Sequence, residues 1–346
     1  MPPATYKRIL FNERPEGDIT STTFRTEVSP FDLKPGEGEV LVQVIYLSLD
    51  AAMRAWMRPV KTYMEPLQIG EVMRSGGLAV VVEAGKGSKL AEGDLVTGSV
   101  GWREYGVFRS TELRKLQTPP GAETLDWLGA LGTTGLTAYF GLTDIGKLKA
   151  GETLVVSGAA GATGSLACQM GKILGARVVA IAGSADKCAW LESELGVDKA
   201  LNYKSPNFKQ QFKDAVPHLD VYFDNVGGEI LDLALTRLNM YARVVMCGAI
   251  SEYNARPKGL QNYQNIITQR AQLRGFIIFD YTKQYPEGLA IIAKWLAEGK
   301  IKRKFHVVEG IENAPEALPL LYSGGNTGKL YVRLMVVKVA DPKVKL

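Results

Sequence analysis

The chain has 346 residues, of which 46% are hydrophobic and 22% are charged, and its formal net charge at pH 7 is +5. This length allows two domains with separate cores. The composition is ordinary for a globular protein. The Lys and Arg residues are scattered along the chain, which does not favour nucleic-acid binding. Because no apolar stretch approaches the roughly 20 residues of a membrane-spanning helix and no signal peptide is visible, we expect a cytoplasmic protein without a membrane or nucleic-acid partner.

About the first 120 residues have the pattern of a compact β domain, with short strands separated by Gly and Pro and little helix. Apolar or alternating stretches predict strands at residues 6–11, 39–46, 78–83, 95–98 and 105–108. Residues 49–64 interrupt this pattern, and they carry Met53, Arg54, Trp56, Met57 and Tyr63. We predict that this segment is a helical or irregular connection that resembles a lid.

From residue 125 the pattern changes to strands that alternate with helices. Strands are predicted at 153–158, 177–182, 199–202, 220–223, 242–247 and 273–278. Helices are predicted at 128–142, 163–175, 184–195, 207–214, 228–239, 261–270 and 284–299. This alternation is typical of an α/β fold with a doubly wound parallel sheet.

The last part of the chain returns to strand character at residues 304–308 and 329–337. We expect these strands to fold back onto the N-terminal β domain. The predicted organisation is therefore one β domain, formed by residues 1–125 and 303–346, with a nucleotide-binding domain of residues 126–302 inserted into it.

Residues 153–164 carry the pattern on which the functional prediction rests. A buried strand leads into a glycine-rich turn, and a helix with apolar residues at helical spacing follows. Gly161 allows the backbone to approach phosphates, and Gly164 allows the helix to pack closely on the strand. The positive end of the helix dipole favours the pyrophosphate of a dinucleotide. The alternative is a structural turn that binds nothing.

The end of the second strand of this domain distinguishes NADP from NAD. An NAD site usually has Asp or Glu here, which accepts a hydrogen bond from the ribose 2′-hydroxyl. This chain has Gly183 and Ser184, followed by Lys187, which would attract a 2′-phosphate. We therefore predict NADPH/NADP⁺, with Tyr203 after the next strand as a further phosphate contact. Lys187 as a merely solvated lysine is the alternative, and Asp186 is the candidate carboxylate if NAD is preferred.

Two later strand ends contribute further candidates. Asn225 precedes two glycines, and its amide both donates and accepts hydrogen bonds. Cys247 ends the following strand. Because open α/β sheets bind ligands at the carboxyl ends of their strands, we expect both residues beside the cofactor.

The residues that usually bind metals are sparse. The chain has two histidines, His218 and His306, and three cysteines without paired spacing, Cys168, Cys188 and Cys247. This set of residues predicts neither a catalytic nor a structural zinc site. It also predicts no disulfide framework, which is typical of a protein in a reducing compartment. A Ser-His-Asp triad is also not expected, because no Gly-x-Ser-x-Gly turn is present.

Several motifs together resemble one family over nearly the whole chain. They lie at residues 47–54, 157–165, 182–187, 201–204, 223–228, 247–254 and 326–329. The chain is similar to the zinc-free branch of the medium-chain dehydrogenase/reductase superfamily, and within it to the NADP-dependent alkenal/enone double-bond reductases, which include prostaglandin reductase. The resemblance implies a GroES-like β domain, a Rossmann domain and a homodimer.

The resemblance also implies a reaction, in which a hydride passes from NADPH to the β-carbon of an α,β-unsaturated aldehyde or ketone. Tyr253 is the side chain expected to donate to the carbonyl oxygen, and a contact with the cofactor ribose or nicotinamide is its competing role. The residues implied along the cofactor are Gly161, Ala162, Thr163, Gly164, Lys187, Tyr203, Asn225, Cys247, Ile250, Ser251, Tyr253, Phe276, Ile277, Ile278, Asn326 and Gly328.

One departure from the family affects the substrate site. The relatives read Asp-Pro-Tyr-Met-Arg where this chain reads Asp-Ala-Ala-Met-Arg at 50–54, so Ala52 replaces a substrate-facing tyrosine. We expect Trp56, Tyr63, Met64 and Trp102 to line the widened pocket. The alternative for each of these residues is an ordinary place in the core of the β domain.

Two other functions remain open at this point. The first is a quinone reductase of the same superfamily, which has the same fold and cofactor. The second is a protein that binds the cofactor with little catalysis.

Overall fold

The computed structural model describes residues 3–334. The strands are β1 (Thr5–Phe11), β2 (Phe24–Pro30), β3 (Glu39–Ser48), β4 (Gly76–Ala84), β5 (Leu95–Ser99), β6 (Tyr105–Arg109), β7 (Arg114–Lys115), β8 (Thr153–Val156), β9 (Arg177–Ala182), β10 (Lys199–Asn202), β11 (Leu219–Asp224), β12 (Leu238–Met246), β13 (Gln272–Gly275), β14 (Phe305–Glu309) and β15 (Lys329–Arg333). The helices are α1 (Met53–Trp56), α2 (Thr133–Phe140), α3 (Ala162–Ile173), α4 (Ala185–Ser193), α5 (Phe208–Ala215), α6 (Gly228–Ala234), α7 (Gln264–Thr268), α8 (Tyr285–Ala297), α9 (Ala314–Ala317) and α10 (Leu320–Ser323). Short 3₁₀ turns cover Thr124–Leu128, Leu235–Arg237, Ile250–Glu252, Ile278–Gln284 and Ile311–Asn313, and a π-helical turn covers Gly141–Ile145.

The first and last parts of the chain share a seven-stranded sheet. Its order is β14-β15-β3-β4-β5-β7, and β6 pairs with β3, while β1 and β2 form a separate antiparallel pair. In the central strand β3, Val42 and Val44 pack into the main core of this part, and Leu41 and Ile45 pack into smaller clusters. The alternation in the sequence predicts one buried face, but elements on both sides bury nearly the whole strand.

The middle of the chain forms a six-stranded parallel sheet in the order β10-β9-β8-β11-β12-β13. Its central strands are apolar because helices cover both faces: Val156 packs into the cluster on one face and Val155 into the cluster on the other. Together with the N-terminal β domain, this sheet confirms the prediction of an α/β fold with a doubly wound, Rossmann-type domain.

The strand order sets the place of the ligand site. The chain runs outward from β8 to β10 and then returns to the other side of β8 at β11. The carboxyl ends of β8 and β11 therefore flank a topological switch point, where folds of this kind bind ligands. Gly158 follows β8 and Asn225 follows β11, so both residues lie at this edge.

Several predicted bounds in the middle of the chain differ from the observed ones. The helix predicted at 228–239 ends at Ala234, because the chain turns and enters β12 at Leu238. The helix predicted at 128–142 begins at Thr133, after a turn at Gly132 where a Cβ would lie 2.6 Å from the carbonyl oxygen of Trp127.

The remaining differences concern the strands and the lid-like segment. The strand predicted at 273–278 ends at Gly275. β2 was not predicted, since Phe24 is its only fully buried residue and polar residues dominate the rest. The segment 49–64 contains a single helical turn, α1, and of the strand predicted at 329–337, residues 335–337 lie outside the described residues.

The chain leaves the β domain between β7 and β8 and returns to it between β13 and β14, and the outgoing segment is hydrogen-bonded both to the returning segment and to β15. Arg303 Nη1 donates to Asp126 Oδ2 over 2.7 Å, and Tyr331 donates to the carbonyl oxygen of Leu125 over 3.0 Å. Asp126 is completely buried, and this burial raises its pKa to about 6 although Arg303 acts in the opposite direction. The domain bounds of 125/126 and 302/303 remain a prediction.

Candidate cofactor and substrate site

The geometry of the turn after β8 requires glycine at two positions. Gly158 adopts a φ of +57°, and a Cβ at Gly164 would lie only 2.3 Å from the carbonyl oxygen of Gly158. This close contact brings the N-terminus of α3 onto the strand end. Ala162 and Thr163 are half-buried there, and the first turn has no acidic side chain that would compete with a phosphate. The turn therefore fits a dinucleotide pyrophosphate.

The segment before β15 is bound to this turn. The backbone N–H of Gly328 donates to the carbonyl oxygen of Ala160 over 2.8 Å, and Asn326 Nδ2 donates to the carbonyl oxygen of Gly328 over 3.0 Å. Gly328 has a φ of +71°, and a Cβ there would lie 2.0 Å from the carbonyl oxygen of Lys304. Asn326 and Gly328 therefore lie beside the glycine-rich turn, and their contact with the cofactor remains a prediction.

The ends of β9 and β10 form a basic corner, which we call the phosphate cluster and define as Lys187, Tyr203 and Lys204. The ring of Tyr203 lies against Gly183, where a Cβ would be 2.9 Å from ring carbon Cε1. Lys204 Nζ lies 5.9 Å from the centroid of the same ring. Ser184 Oγ caps helix α4 by accepting from the backbone N–H of Lys187 over 3.3 Å.

The charges of the phosphate cluster suit a dianion. Burial lowers the pKa of Lys187, and the charge of Lys204 lowers it further. Lys187 Nζ donates to the carbonyl oxygen of Gly324 over 2.8 Å. Asp186 is exposed on the first turn of α4. The sequence interpretation missed Lys204, although it directly follows the predicted Tyr203.

The end of β11 is organised by a buried carboxylate. Asp224 is completely buried and accepts from Ser157 Oγ over 2.7 Å and from the backbone N–H groups of Val226 and Gly227 over 3.0 and 3.1 Å. Burial raises its pKa, and these hydrogen bonds act against that rise. Asn225 Nδ2 donates to the carbonyl oxygen of Ser157 over 2.7 Å, so the side chain is held across the switch point. The sequence interpretation assigned no role to Asp224, although a carboxylate in an apolar strand marks it.

The end of β12 is hydrogen-bonded to the same residue. The backbone N–H groups of Cys247 and Gly248 donate to the carbonyl oxygen of Asp224 over 2.9 and 3.0 Å. Burial raises the pKa of the Cys247 thiol to about 12, which keeps it neutral. The phenol oxygen of Tyr253 accepts from the backbone N–H of Ala249 over 3.3 Å, so the hydroxyl lies at the strand end.

The remaining predicted cofactor residues follow β12 and β13. Ile250 and Ser251 lie in a 3₁₀ turn, and Ser251 Oγ donates to the carbonyl oxygen of Val226 over 2.6 Å. The shortened strand places Phe276, Ile277 and Ile278 in the loop beyond the sheet edge. The structure thus brings the predicted residues together along the carboxyl edge, while their individual contacts with the cofactor remain predictions.

The lid segment, residues 49–64, faces this edge from the other domain. Trp56 Nε1 donates to the phenol oxygen of Tyr63 over 3.0 Å. The Tyr63 ring lies 6.1 Å from the ring of Phe279, centroid to centroid. Ala52 and Met64 are half-buried in the same segment. Four of the five predicted pocket residues therefore belong to one segment beside the cofactor edge.

Two arginines that the sequence interpretation did not assign connect the lid segment to the Rossmann-type domain. Arg54 is buried and its Nε donates to Asn254 Oδ1 over 3.0 Å, while its Nη2 donates to the carbonyl oxygen of Pro15 over 2.9 Å. Arg58 Nη2 donates to the carbonyl oxygen of Tyr253 over 3.0 Å. About 200 residues separate these partners, so no local pattern reveals the pairs.

The prediction that Trp102 lines the pocket is wrong. Its side chain has no exposed surface, and its ring centroid lies 5.0 Å from that of Phe24 within the core of the β domain. The indole ring of Trp102 fills the core of the β domain, so the alternative of an ordinary core position holds for this residue.

Residues 3–334 contain no group of three or more His, Cys, Asp or Glu side chains placed to bind a metal ion. Cys168 and Cys188 are buried in helices α3 and α4. Over the same part of the chain, no helix has the length and apolar character needed to cross a lipid bilayer.

Comparison with known proteins agrees with this geometry. Residues 7–116 match the model of the N-terminal domain of oxidoreductase, and residues 162–294 match the zinc-binding dehydrogenase model. The chain is 39% identical over 337 residues to the NADPH-dependent curcumin reductase of Escherichia coli, covering 95% of this chain and 96% of the relative. It is also 39% identical over 304 residues to the NADP⁺-dependent 2-alkenal reductase of Nicotiana tabacum, covering 86% and 88%.

A solved structure extends the similarity to three dimensions. The crystal structure of CurA from Vibrio vulnificus in complex with NADPH superposes with a TM-score of 0.89 at 37% identity, and the match covers 96% of this chain and all of that one. The family models, the relatives and this structure agree over both domains. The chain therefore belongs to the medium-chain dehydrogenase/reductase superfamily and, within it, to the family of NADP-dependent alkenal reductases.

Proposed function

We propose that this protein is an NADPH-dependent reductase that saturates the C=C bond of α,β-unsaturated aldehydes and ketones. The observation that carries this proposal is that the glycine turn and the phosphate cluster lie on the same sheet edge as an aromatic lid segment that carries the phenol of Tyr63. The named activities of the curcumin and 2-alkenal reductases support the same substrate class.

Different residues at the carboxyl edge of the sheet bind different parts of NADPH. The N-terminus of α3 binds the pyrophosphate through backbone N–H groups, and Lys187 and Tyr203 bind the 2′-phosphate. Asp224 holds Asn225 and the loop at Gly227 in place beside the nicotinamide half. When bound, NADPH supplies a hydride, which carries both electrons of the reduction.

Tyr253 has two proposed roles, and its position favours the second. Its phenol oxygen accepts a backbone hydrogen bond at the end of β12, which leaves its proton available to a ligand. A hydroxyl at a strand end lies where the cofactor is expected. We therefore place Tyr253 with the cofactor ribose or nicotinamide, and its role as donor to the substrate carbonyl remains an untested prediction.

A substrate panel tests the proposed activity. The purified protein is expected to oxidise NADPH with a linear enal and with 4-phenylbut-3-en-2-one, and mass spectrometry is expected to identify the saturated carbonyl compound. Turnover with simple quinones alone would assign the protein to the quinone reductases. Tight NADPH binding without turnover of any of these compounds would make it a binding protein.

We also propose that the protein is a cytoplasmic homodimer that uses the open edge of the six-stranded sheet. All four residues of the edge strand β13 are exposed, and an unpaired strand edge is a template for a second copy. Three apolar side chains, Met240, Ile267 and Leu273, are exposed near it, and Ile267 is 72% exposed.

Light scattering tests this assembly. The wild-type protein is expected to have twice the chain mass of 37.7 kDa, and Leu273→Asp is expected to halve that mass because it places a charge on the paired edge. A monomeric wild-type protein at micromolar concentration would contradict the proposal.

A further inference from the structure

A hydrogen bond within the lid segment orients the hydroxyl of Tyr63. The indole N–H of Trp56 has no lone pair to offer and acts only as a donor, so the phenol oxygen of Tyr63 is the acceptor in their 3.0 Å bond. The phenol proton of Tyr63 therefore points to another partner. Within residues 3–334, no protein atom accepts that proton in the hydrogen bonds observed.

The ring of Tyr63 lies between the two domains. It contacts Phe279, which belongs to the 3₁₀ turn Ile278–Gln284 that follows the cofactor loop. It is 43% exposed, so a ligand in solution can reach the residue. Arg58 of the same lid segment donates to the carbonyl oxygen of Tyr253 over 3.0 Å, which holds the segment against the end of β12.

Ala52 cannot serve as a donor, because a methyl group forms no hydrogen bond to a carbonyl oxygen. The guanidinium of Arg54 is also engaged, by Asn254 and by backbone carbonyl oxygens. Tyr63 is then the aromatic residue of the lid segment that offers a phenol proton to a substrate, while the guanidinium of Arg58 is held at the carbonyl oxygen of Tyr253.

We propose that Tyr63 is the catalytic residue that donates a hydrogen bond to the carbonyl oxygen of the enone, and that Trp56 is its positioning residue. This inference rests on the proposed reduction of enals and enones. It assigns the donor to the substrate side of the cleft and leaves Tyr253 with the cofactor.

The donor acts where charge accumulates. Hydride addition forms a C–H bond at the β-carbon and breaks the π component of the C=C bond, whose electron pair moves onto the α-carbon and the carbonyl oxygen. The bound cofactor would supply this hydride, with its own C–H bond breaking as the new one forms, so the enone would gain both electrons and the cofactor would be left as NADP⁺. The phenol of Tyr63 stabilises the negative oxygen, and a proton from solvent then adds to the α-carbon and gives the saturated carbonyl compound.

Single hydroxyl deletions test the assignment. Tyr63→Phe is expected to lower kcat with 4-phenylbut-3-en-2-one about tenfold, less than the 10²–10³ of fully enclosed oxyanion donors, while the KM for NADPH stays unchanged. Tyr253→Phe is expected to raise the KM for NADPH instead. Tyr263→Phe is the matched control, because it removes a hydroxyl from an exposed ring just before α7. This variant is expected to behave as wild type.

Trp56→Phe is expected to lower kcat by a smaller factor, because it removes the indole N–H and keeps an aromatic ring. The double variant with Tyr63→Phe is expected to be no slower than Tyr63→Phe alone, because Trp56 acts only through the hydroxyl of Tyr63, which the second change has already removed. Additive losses would contradict the positioning role of Trp56.

A binding measurement separates the donor role from general damage. 4-Nitrophenolate has the delocalised oxyanion of an enolate, and its absorbance reports binding to the NADP⁺ complex. Tyr63→Phe is expected to weaken that binding about tenfold and to leave NADP⁺ affinity unchanged. If the wild-type protein reduces the enone and Tyr63→Phe matches it in both assays, the assignment of Tyr63 is overturned. If the wild-type protein reduces no enone, the proposed function itself fails.

Discussion

Gly164→Ala is expected to weaken NADPH binding about a hundredfold or more. The added Cβ would lie 2.3 Å from the carbonyl oxygen of Gly158 and 2.8 Å from the Cα of Ala159, so backbone must move. That movement withdraws the N-terminus of α3 from the pyrophosphate. Loss of two hydrogen bonds to a charged group, at about 1.5–3 kcal/mol each, corresponds to a hundredfold or more at 1.4 kcal/mol per decade.

Fluorescence titration with NADPH measures this effect, and two other alanine variants calibrate it. Gly161→Ala is expected to strain the turn itself less, because its Cβ would lie 3.2 Å from the same oxygen, so its loss of affinity reports how closely the pyrophosphate approaches that position. Gly259→Ala is the control, since a Cβ there meets no heavy atom within 4 Å. Equal NADPH affinity in the Gly164 and Gly259 variants would show that the turn does not bind the cofactor.

Lys187→Ala is expected to remove most of the preference for NADPH over NADH. A charge-assisted hydrogen bond contributes about 1.5–3 kcal/mol, so NADPH affinity is expected to fall roughly tenfold to a hundredfold at 1.4 kcal/mol per decade. NADH has no 2′-phosphate, and its affinity is expected to remain unchanged. Lys204→Ala is expected to have a smaller effect in the same direction, because its ammonium group is more exposed.

Steady-state kinetics with both cofactors measure this preference, and Lys209→Ala on the exposed face of α5 is the matched control. The preference is also expected to decline with rising pH, as the ammonium group of Lys187 loses its proton. Because burial lowers the pKa of Lys187, this decline begins at a lower pH than for an unperturbed lysine. Equal losses for NADPH and NADH in Lys187→Ala would remove the residue from the 2′-phosphate site.

The fold was predictable where local patterns determine it. β9 and β10 have the predicted bounds of 177–182 and 199–202, because buried parallel strands are short apolar runs between helices. β2 was missed because only Phe24 faces the core, so its sequence lacks both alternation and an apolar run.

The site was predictable in its cofactor half and less so in its substrate half. Gly161 and Lys187 follow strand ends at fixed offsets, and strand order then determines where they meet. Trp102 was misplaced, because a tryptophan after a turn fits a pocket wall and a core equally well by pattern. The bond between Arg54 and Asn254 depends on how the two domains dock, which no spacing along the chain encodes.

The contact between Asp126 and Arg303 has an architectural consequence. The nucleotide-binding part of the chain leaves the β domain and returns to it at points within hydrogen-bonding distance of each other. An inserted unit with adjacent ends leaves the host strands nearly undisturbed when it is exchanged. We infer that the segment between these two residues can be exchanged for the equivalent segment of a relative. Such an exchange would change the cofactor preference and leave the lid segment as it is.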